Sequence, residues 1–366
     1  MISDLHLGAS TRADLLRRPE LREPLTQAVR DVDRVVILGD GLELRDGPHR
    51  DAVALAGPLF EELGRALGPD GELLILGGNH DHGLVAGWID GRLLTEPAGF
   101  LALEQRIEPQ QAGPLAAALA ERAAPARVEL AYPGVWLRDD VFAIHGHYAD
   151  LHATVPTFER LAAGAMARWV VRLPGDGARP DDYEAALAPL YAWMHALTQR
   201  SEHAVVSAGA GASARAWVAM GGRGRRRHPV RTTLLGAGFR VAVAGVNAAG
   251  LGPVEPDLTG TGLRRGYLNG IREALRRLDV RAPHVVWGHS HRSGPWPGDD
   301  LAEWTTHAGG RIHNAGSWVY QGHFLSAAPN QSPYWPGTAV VIADSGPPRL
   351  VRLLGDRGHQ ELRPPA

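Results

Sequence analysis

The chain has 366 residues, 44% of them hydrophobic and 21% charged, with a formal net charge of −2 and no cysteine. Such a composition belongs to an ordinary folded protein; it excludes disulfides, thiolate metal sites and cysteine nucleophiles. It also gives no global electrostatic argument for nucleic acid or a membrane surface. Lysine is absent too, which removes Schiff-base chemistry and any P-loop lysine; the loading of Ala, Gly, Pro and Arg makes a GC-rich coding sequence the simplest cause.

In chain order, Met1 is followed at once by Asp4 and His6 and not by a basic and then apolar segment. No signal peptide is read there, and a cytoplasmic location is expected. A first strand would end at Asp4 with three residues before it, shorter than the usual ~5–6, which points to a start upstream of Met1. A helix is expected over 20–31, and then the run Arg34-Val35-Val36-Ile37-Leu38 leads into Gly39-Asp40. A helix over 51–67, containing Pro58, precedes the run 72–76, which leads into Gly77-Gly78-Asn79-His80-Asp81-His82. Val141-Phe142-Ala143-Ile144 leads into His145-Gly146-His147, and His284-Val285-Val286-Trp287 leads into Gly288-His289-Ser290-His291. Short apolar runs without alternation fit strands buried on both faces. Strands expected over 311–315, 338–343 and 349–354 close the chain.

Between the third and fourth of these runs the pattern is helical, over 158–171, 181–200 and 263–278. We expect an α/β domain made of 1–150 and 281–366, with 151–280 a mostly helical insertion over the site. Trp169, Tyr191 and Trp193 are expected in the insertion's core. The apolar window 232–252, interrupted by Arg240 and Asn247, reads as a buried or cap segment and not as a membrane span. The basic run Arg223-Gly224-Arg225-Arg226-Arg227-His228 reads first as a solvated loop and second as a patch for an anionic substrate or lipid headgroup, which leaves peripheral membrane contact open.

The strand-end groups are Asp4, His6, Asp40, Asn79, His80, Asp81, His145, His289 and His291. Carboxylates, imidazoles and an amide oxygen suit a first-row transition metal or zinc. They are too many for one ion and enough for two sharing a carboxylate, the usual clamp for phosphate-ester hydrolysis. His82, His147 and His152 are expected beside the ligands or at the surface, and Arg292 on a phosphate or in a surface turn.

Asp-x-His, Gly-Asp-x-x-Glu, Gly-Asn-His-Asp, His-Gly and Gly-His-x-His, in that order, resemble the calcineurin-like metallophosphoesterase superfamily. The nearest subgroup is that of the UDP-2,3-diacylglucosamine pyrophosphohydrolases, from which the chain departs at His80, at His147 and in the length of its insertion. The resemblance implies a β-sandwich flanked by helices (αββα) and two divalent ions, manganese first among iron, zinc, cobalt and nickel. It places Asp4, His6, Asp40 and His291 on one ion and Asp40, Asn79, His145 and His289 on the other. His80 would face the substrate, Asp81 would orient His80, and a metal-bridging hydroxide would attack a phosphomonoester, phosphodiester or pyrophosphate. The substrate would be a small phosphorylated molecule, a lipid or nucleotide conjugate among the candidates. A nuclease of the same superfamily ranks lower because basic residues form no long stripe. A non-catalytic binding scaffold ranks lower because every ligand and His80 are present.

Overall fold

The computed structural model describes residues 1–94, 99–199, 229–326 and 328–364, so the basic run 223–228 lies outside the described residues. The chain divides into two compact units, Met1–His147 with Arg281–Ala366, and Tyr148–Val280.

The first unit is mixed α/β. Its strands are β1 (Arg34–Leu38), β2 (Glu72–Leu76), β3 (Glu104–Ile107), β4 (Arg127–Arg138), β5 (Val141–Ile144), β6 (His284–Trp287), β7 (Arg311–Asn314), β8 (Thr338–Val341) and β9 (Arg349–Arg352). Seven form one sheet in the order β1-β2-β4-β5-β6-β7, with β3 also on β4, while β8 and β9 form an antiparallel pair. The absence of alternation in β1 and β2 has a direct cause, since both faces are covered. Val35, Ile37, Leu73 and Ile75 join a core with Leu21 and Leu25 of the helix Pro19–Val29 and with Leu59, Phe60 and Leu63 of the helix His49–Leu67. Val36, Leu38, Leu74 and Leu76 face a second core that contains Val340.

β4 decides where the strand ends go, and the sequence reading had not recognised it. Its first part pairs in parallel with β2, Leu76 standing opposite Ala131. Its last part pairs antiparallel with β5, Ile144 standing opposite Gly134. β2 and β5 therefore run toward each other and finish within three residues of one another along β4. β1 ends level with β2, Leu38 opposite Leu76, and β6 runs parallel with β5. Four apolar runs thus release their polar ends at one place, where β2 and β5 meet head to head along β4. The first strand expected before Asp4 is reduced to a single bridge between Ile2 and Ile37.

The second unit contains the helices Phe158–Trp169, Pro180–Gln199, Pro229–Ala248 and Gly260–Arg277. Thr157 and Thr259 cap two of them through their side-chain oxygens. Within it Tyr148 donates to Glu184 Oε1 at 2.6 Å and stacks on Tyr183, whose hydroxyl meets His152 Nε2 at 3.0 Å. Burial keeps His152 neutral, with its pKa lowered to about 3. One expectation fails here and another holds only in part. Tyr191 is buried, but Trp169 and Trp193 are 65% and 53% exposed, because they lie on the outward faces of their helices. The window 232–252 is helical as far as Ala248, yet Val243 is the one buried residue between 237 and 250. No described helix is long and apolar enough to cross a membrane.

Candidate metal centre

Asp4, His6, Asp40, His289 and His291 all have φ between 48° and 65°. Side chains other than glycine seldom adopt this left-handed region, and each instance is strained by roughly 1–3 kcal/mol. Eight non-glycine residues do so among the described residues, and five of them are these candidate ligands. Backbone bonds hold the geometry: Asp4 N–H donates to Gly39 O, His6 N–H to Asp40 O, and Gly288 N–H to His145 O. The glycines before the ligands have a packing reason. A Cβ on Gly78 would stand 2.2 Å from Asp40 Oδ1, and one on Gly288 would stand 2.0 Å from Ser3 Oγ.

The ligand atoms fall into two adjoining groups, all within the first unit. In the first, His291 Nε2 lies 3.3 Å from Asp4 Oδ1 and 3.2 Å from His6 Nε2. In the second, His145 Nε2 lies 3.2 Å from Asp40 Oδ2 and 3.2 Å from Asn79 Oδ1, which is 3.1 Å from His289 Nδ1. Asp40 Oδ2 is also 3.8 Å from His6 Nε2, so this one carboxylate oxygen borders both groups. All seven residues proposed from sequence as ligands are brought together.

The donor set fits cations. Ligands bonded at ~2.0–2.1 Å in a tetrahedron are ~3.3 Å apart, close to five of the separations within the groups, at 3.1–3.3 Å, while Asp4 Oδ1 and His6 Nε2 stand wider at 4.0 Å. Asp4 Oδ1, which faces His291 Nε2 and His6 Nε2, is buried without a hydrogen-bond partner. Asn79 turns its side-chain amide toward Asp40 Oδ2, His145 Nε2 and His289 Nδ1 on one side and Arg45 Nη2 on the other, and its oxygen is the atom that would meet a cation in the second group. Three of the ligands are anchored through their other polar atom. Asp4 Oδ2 accepts from Ser3 Oγ and His289 N–H, His6 Nδ1 meets Glu43 Oε2 at 3.0 Å, and His145 Nδ1 meets the Leu38 carbonyl at 2.8 Å. With Nδ1 fixed, both rings present Nε2 inward.

Charge pairing makes protons stand in for the cations. Burial opposes charge on His6, but the Glu43 hydrogen bond and the nearby carboxylates outweigh it and raise the pKa to about 9. Burial also opposes charge on His145, and Asp40 with Asp4 raises it to about 10. Burial acts against ionised Asp40 as well, yet His145, His80 and His6 hold its carboxyl well below the usual range. At pH 7 both His6 and His145 therefore carry a proton that a ligated imidazole cannot keep. Metal uptake at pH 7 should release about two protons per chain, with affinity rising as pH rises toward 9–10. Calorimetry in buffers of different ionisation enthalpy checks this, and uptake without proton release would contradict it.

One expected role moves. Asp81 does not orient His80: its carboxylate accepts from the backbone N–H groups of Gly78, Asp40, Gly41 and Leu42 at 2.6–3.2 Å. It clamps the exit of β2 to that of β1, and burial, with Asp40 beside it, pushes its carboxyl up to about 6. Glu43 orients His80 instead. Its Oε2 meets His80 Nδ1 at 2.7 Å and His6 Nδ1 at 3.0 Å, and its Oε1 accepts from Arg45 N–H. The grouping His6, Glu43 and His80 is thus explained by hydrogen bonding and needs no further cation. The Gly-Asp-x-x-Glu spacing was the only sequence signal for Glu43. Asp81→Ala should strand four buried donors and destabilise the chelator-treated protein by at least ~3 kcal/mol in urea unfolding; a smaller loss would contradict the clamp.

Arg292 is neither on the site nor in a surface turn, being buried against Asp299 at 2.8 Å and over the Trp304 ring. His147 and His82 are buried beside the ligands, His147 Nε2 meeting the Tyr132 hydroxyl at 3.2 Å. No protein-family model matches the chain, and no curated protein matches it.

Proposed function

We propose that the chain is a dinuclear metal-dependent phosphohydrolase of the calcineurin-like metallophosphoesterase type, acting on a small phosphorylated molecule. The observation that carries this reading is the position of Asp40 Oδ2, 3.2 Å from His145 Nε2 in one group and 3.8 Å from His6 Nε2 in the other. Asp4, His6, Asp40 and His291 would hold one ion, and Asp40, Asn79, His145 and His289 the other, manganese being the first candidate. Bound there, divalent cations would supply a water of lowered pKa and neutralise phosphoryl charge. The αββα sandwich expected of the family is supported by helices on one face of β1 and β2 and by Val340 and Leu350 of the β8–β9 pair on the other. A cytoplasmic site of action fits a chain without cysteine.

The chain's own contribution centres on His80. Glu43 holds Nδ1, so the ring is fixed with Nε2 at its far edge, and the side chain is 25% exposed. With Nδ1 on Glu43, Nε2 is the ring nitrogen that would pass a proton to a leaving oxygen. Glu43 itself stays ionised: burial acts against its charge, but His80 and His6 bring its pKa far below the usual carboxylate value.

Hydrolysis of bis-p-nitrophenyl phosphate, p-nitrophenyl phosphate and a nucleoside diphosphate, with added manganese and with chelator, tests the assignment. Manganese-dependent turnover of at least one is expected. Folded, metal-loaded protein that cleaves none of the three would overturn it.

A further inference from the structure

We infer that Arg45 makes this site selective for a terminal, doubly charged phosphate over a phosphodiester. The inference rests on the dinuclear reading above. Arg45 is buried, and its Nη2 donates to the Asn79 carbonyl at 2.6 Å. Its Nη1 lies 3.5 Å from His80 Nε2, the ring edge opposite Glu43. Its backbone N–H is tied to Glu43 Oε1 at 3.0 Å, so the residue that orients His80 also fixes where this guanidinium starts. A permanent cation is thereby held one amide group from the second ligand group and against the proton-transferring ring.

The number of phosphate oxygens gives that position a consequence. A phosphomonoester near neutral pH carries close to two negative charges, since its second pKa is about 6, whereas a diester carries one. A terminal phosphate has three non-bridging oxygens and keeps one for a guanidinium donor after two have been taken by the cations. A diester replaces one of them with an ester oxygen. Arg45 therefore contributes to recognising the terminal group, while His80 serves either ester.

Titration of manganese-loaded protein with inorganic phosphate, alongside kcat/KM for p-nitrophenyl phosphate and bis-p-nitrophenyl phosphate, tests this in the full chain. Arg45→Met should keep its metal and weaken phosphate binding on the order of 10- to 100-fold, the range for a lost charge-assisted hydrogen bond. The monoester-to-diester ratio of kcat/KM should fall at least about tenfold, and Arg45→Lys should restore part of both. If Arg45→Met does not fold, Arg45→Gln, which keeps a donor for the Asn79 carbonyl without the charge, carries the same expectation. Unchanged phosphate affinity, absence of phosphate binding by the wild type, or an equal fall for both esters with no recovery in Arg45→Lys would each overturn the inference. Arg45-dependent phosphate binding in a protein that hydrolyses nothing would overturn the proposed function and leave this anion site standing.

Discussion

Asp40→Asn should strip metal from both halves of the site at once. The substitution keeps the Oδ1 that accepts from His80 N–H at 2.8 Å, so the backbone of the β2 exit retains its anchor. It places an amide donor where Oδ2 now lies 3.2 Å from His145 Nε2 and 3.8 Å from His6 Nε2. A neutral amide cannot offset charge in two groups, and its N–H would compete for the very nitrogens that face the ions. Removing an outer partner of a metal ligand costs ~10–100-fold in affinity, and removing a shared ligand should exceed that at both positions. Turnover should fall by roughly 1,000-fold or more, because water activation and charge neutralisation are lost together. Asp4→Asn should empty the first group and leave the second occupied, since Asp4 Oδ1 borders only His291 and His6. Elemental analysis of the two variants separates these outcomes; equal loss in both would mean that Asp40 is not the shared ligand.

Glu43→Gln should produce the second large effect and divide it between two properties. One carboxylate oxygen holds His6, a candidate ligand, and His80, the proposed proton carrier. Gln can offer an amide oxygen to one of these rings but no charge to either. Metal affinity should drop ~10–100-fold through His6, and turnover at saturating metal should drop ~100- to 10,000-fold through His80. His80→Ala should keep the metal and lose the same turnover. Residues that act as a unit are not additive, so Glu43→Gln combined with His80→Ala should turn over no more slowly than His80→Ala at saturating metal. Independent losses that multiply would show that Glu43 does not work through His80.

The clustering of the candidate ligands was legible in part, because Asp40, Asn79, His145, His289 and His291 sit where a buried apolar run stops. Leu38, Leu76, Ile144 and Trp287 are followed by glycine or by histidine directly, and a core strand has no use for such residues at its exit. The convergence of those exits was not legible. It depends on β4, whose Tyr132-Pro133-Gly134 centre looks like a strand breaker and whose two parts serve neighbours running in opposite directions. The family resemblance gives Asp81 the orienting role that Glu43 holds in the structure. Adjacent side chains leaving a strand end need not meet, and Asp81 turns back toward the amides of residues 40–42. The positive φ values were likewise invisible, since only glycine announces that conformation in a sequence. In the helical unit, spacing found the helices Phe158–Trp169 and Pro180–Gln199, yet it could not say which face was covered, and Trp169 and Trp193 point outward.

The number of ions bound per chain tests the dinuclear centre most directly. Equilibrium dialysis of chelator-stripped protein against manganese, followed by elemental analysis, should give close to two ions per wild-type chain. Folded wild-type protein that takes up no ion would contradict the metal centre outright, and a single ion would contradict the sharing of Asp40.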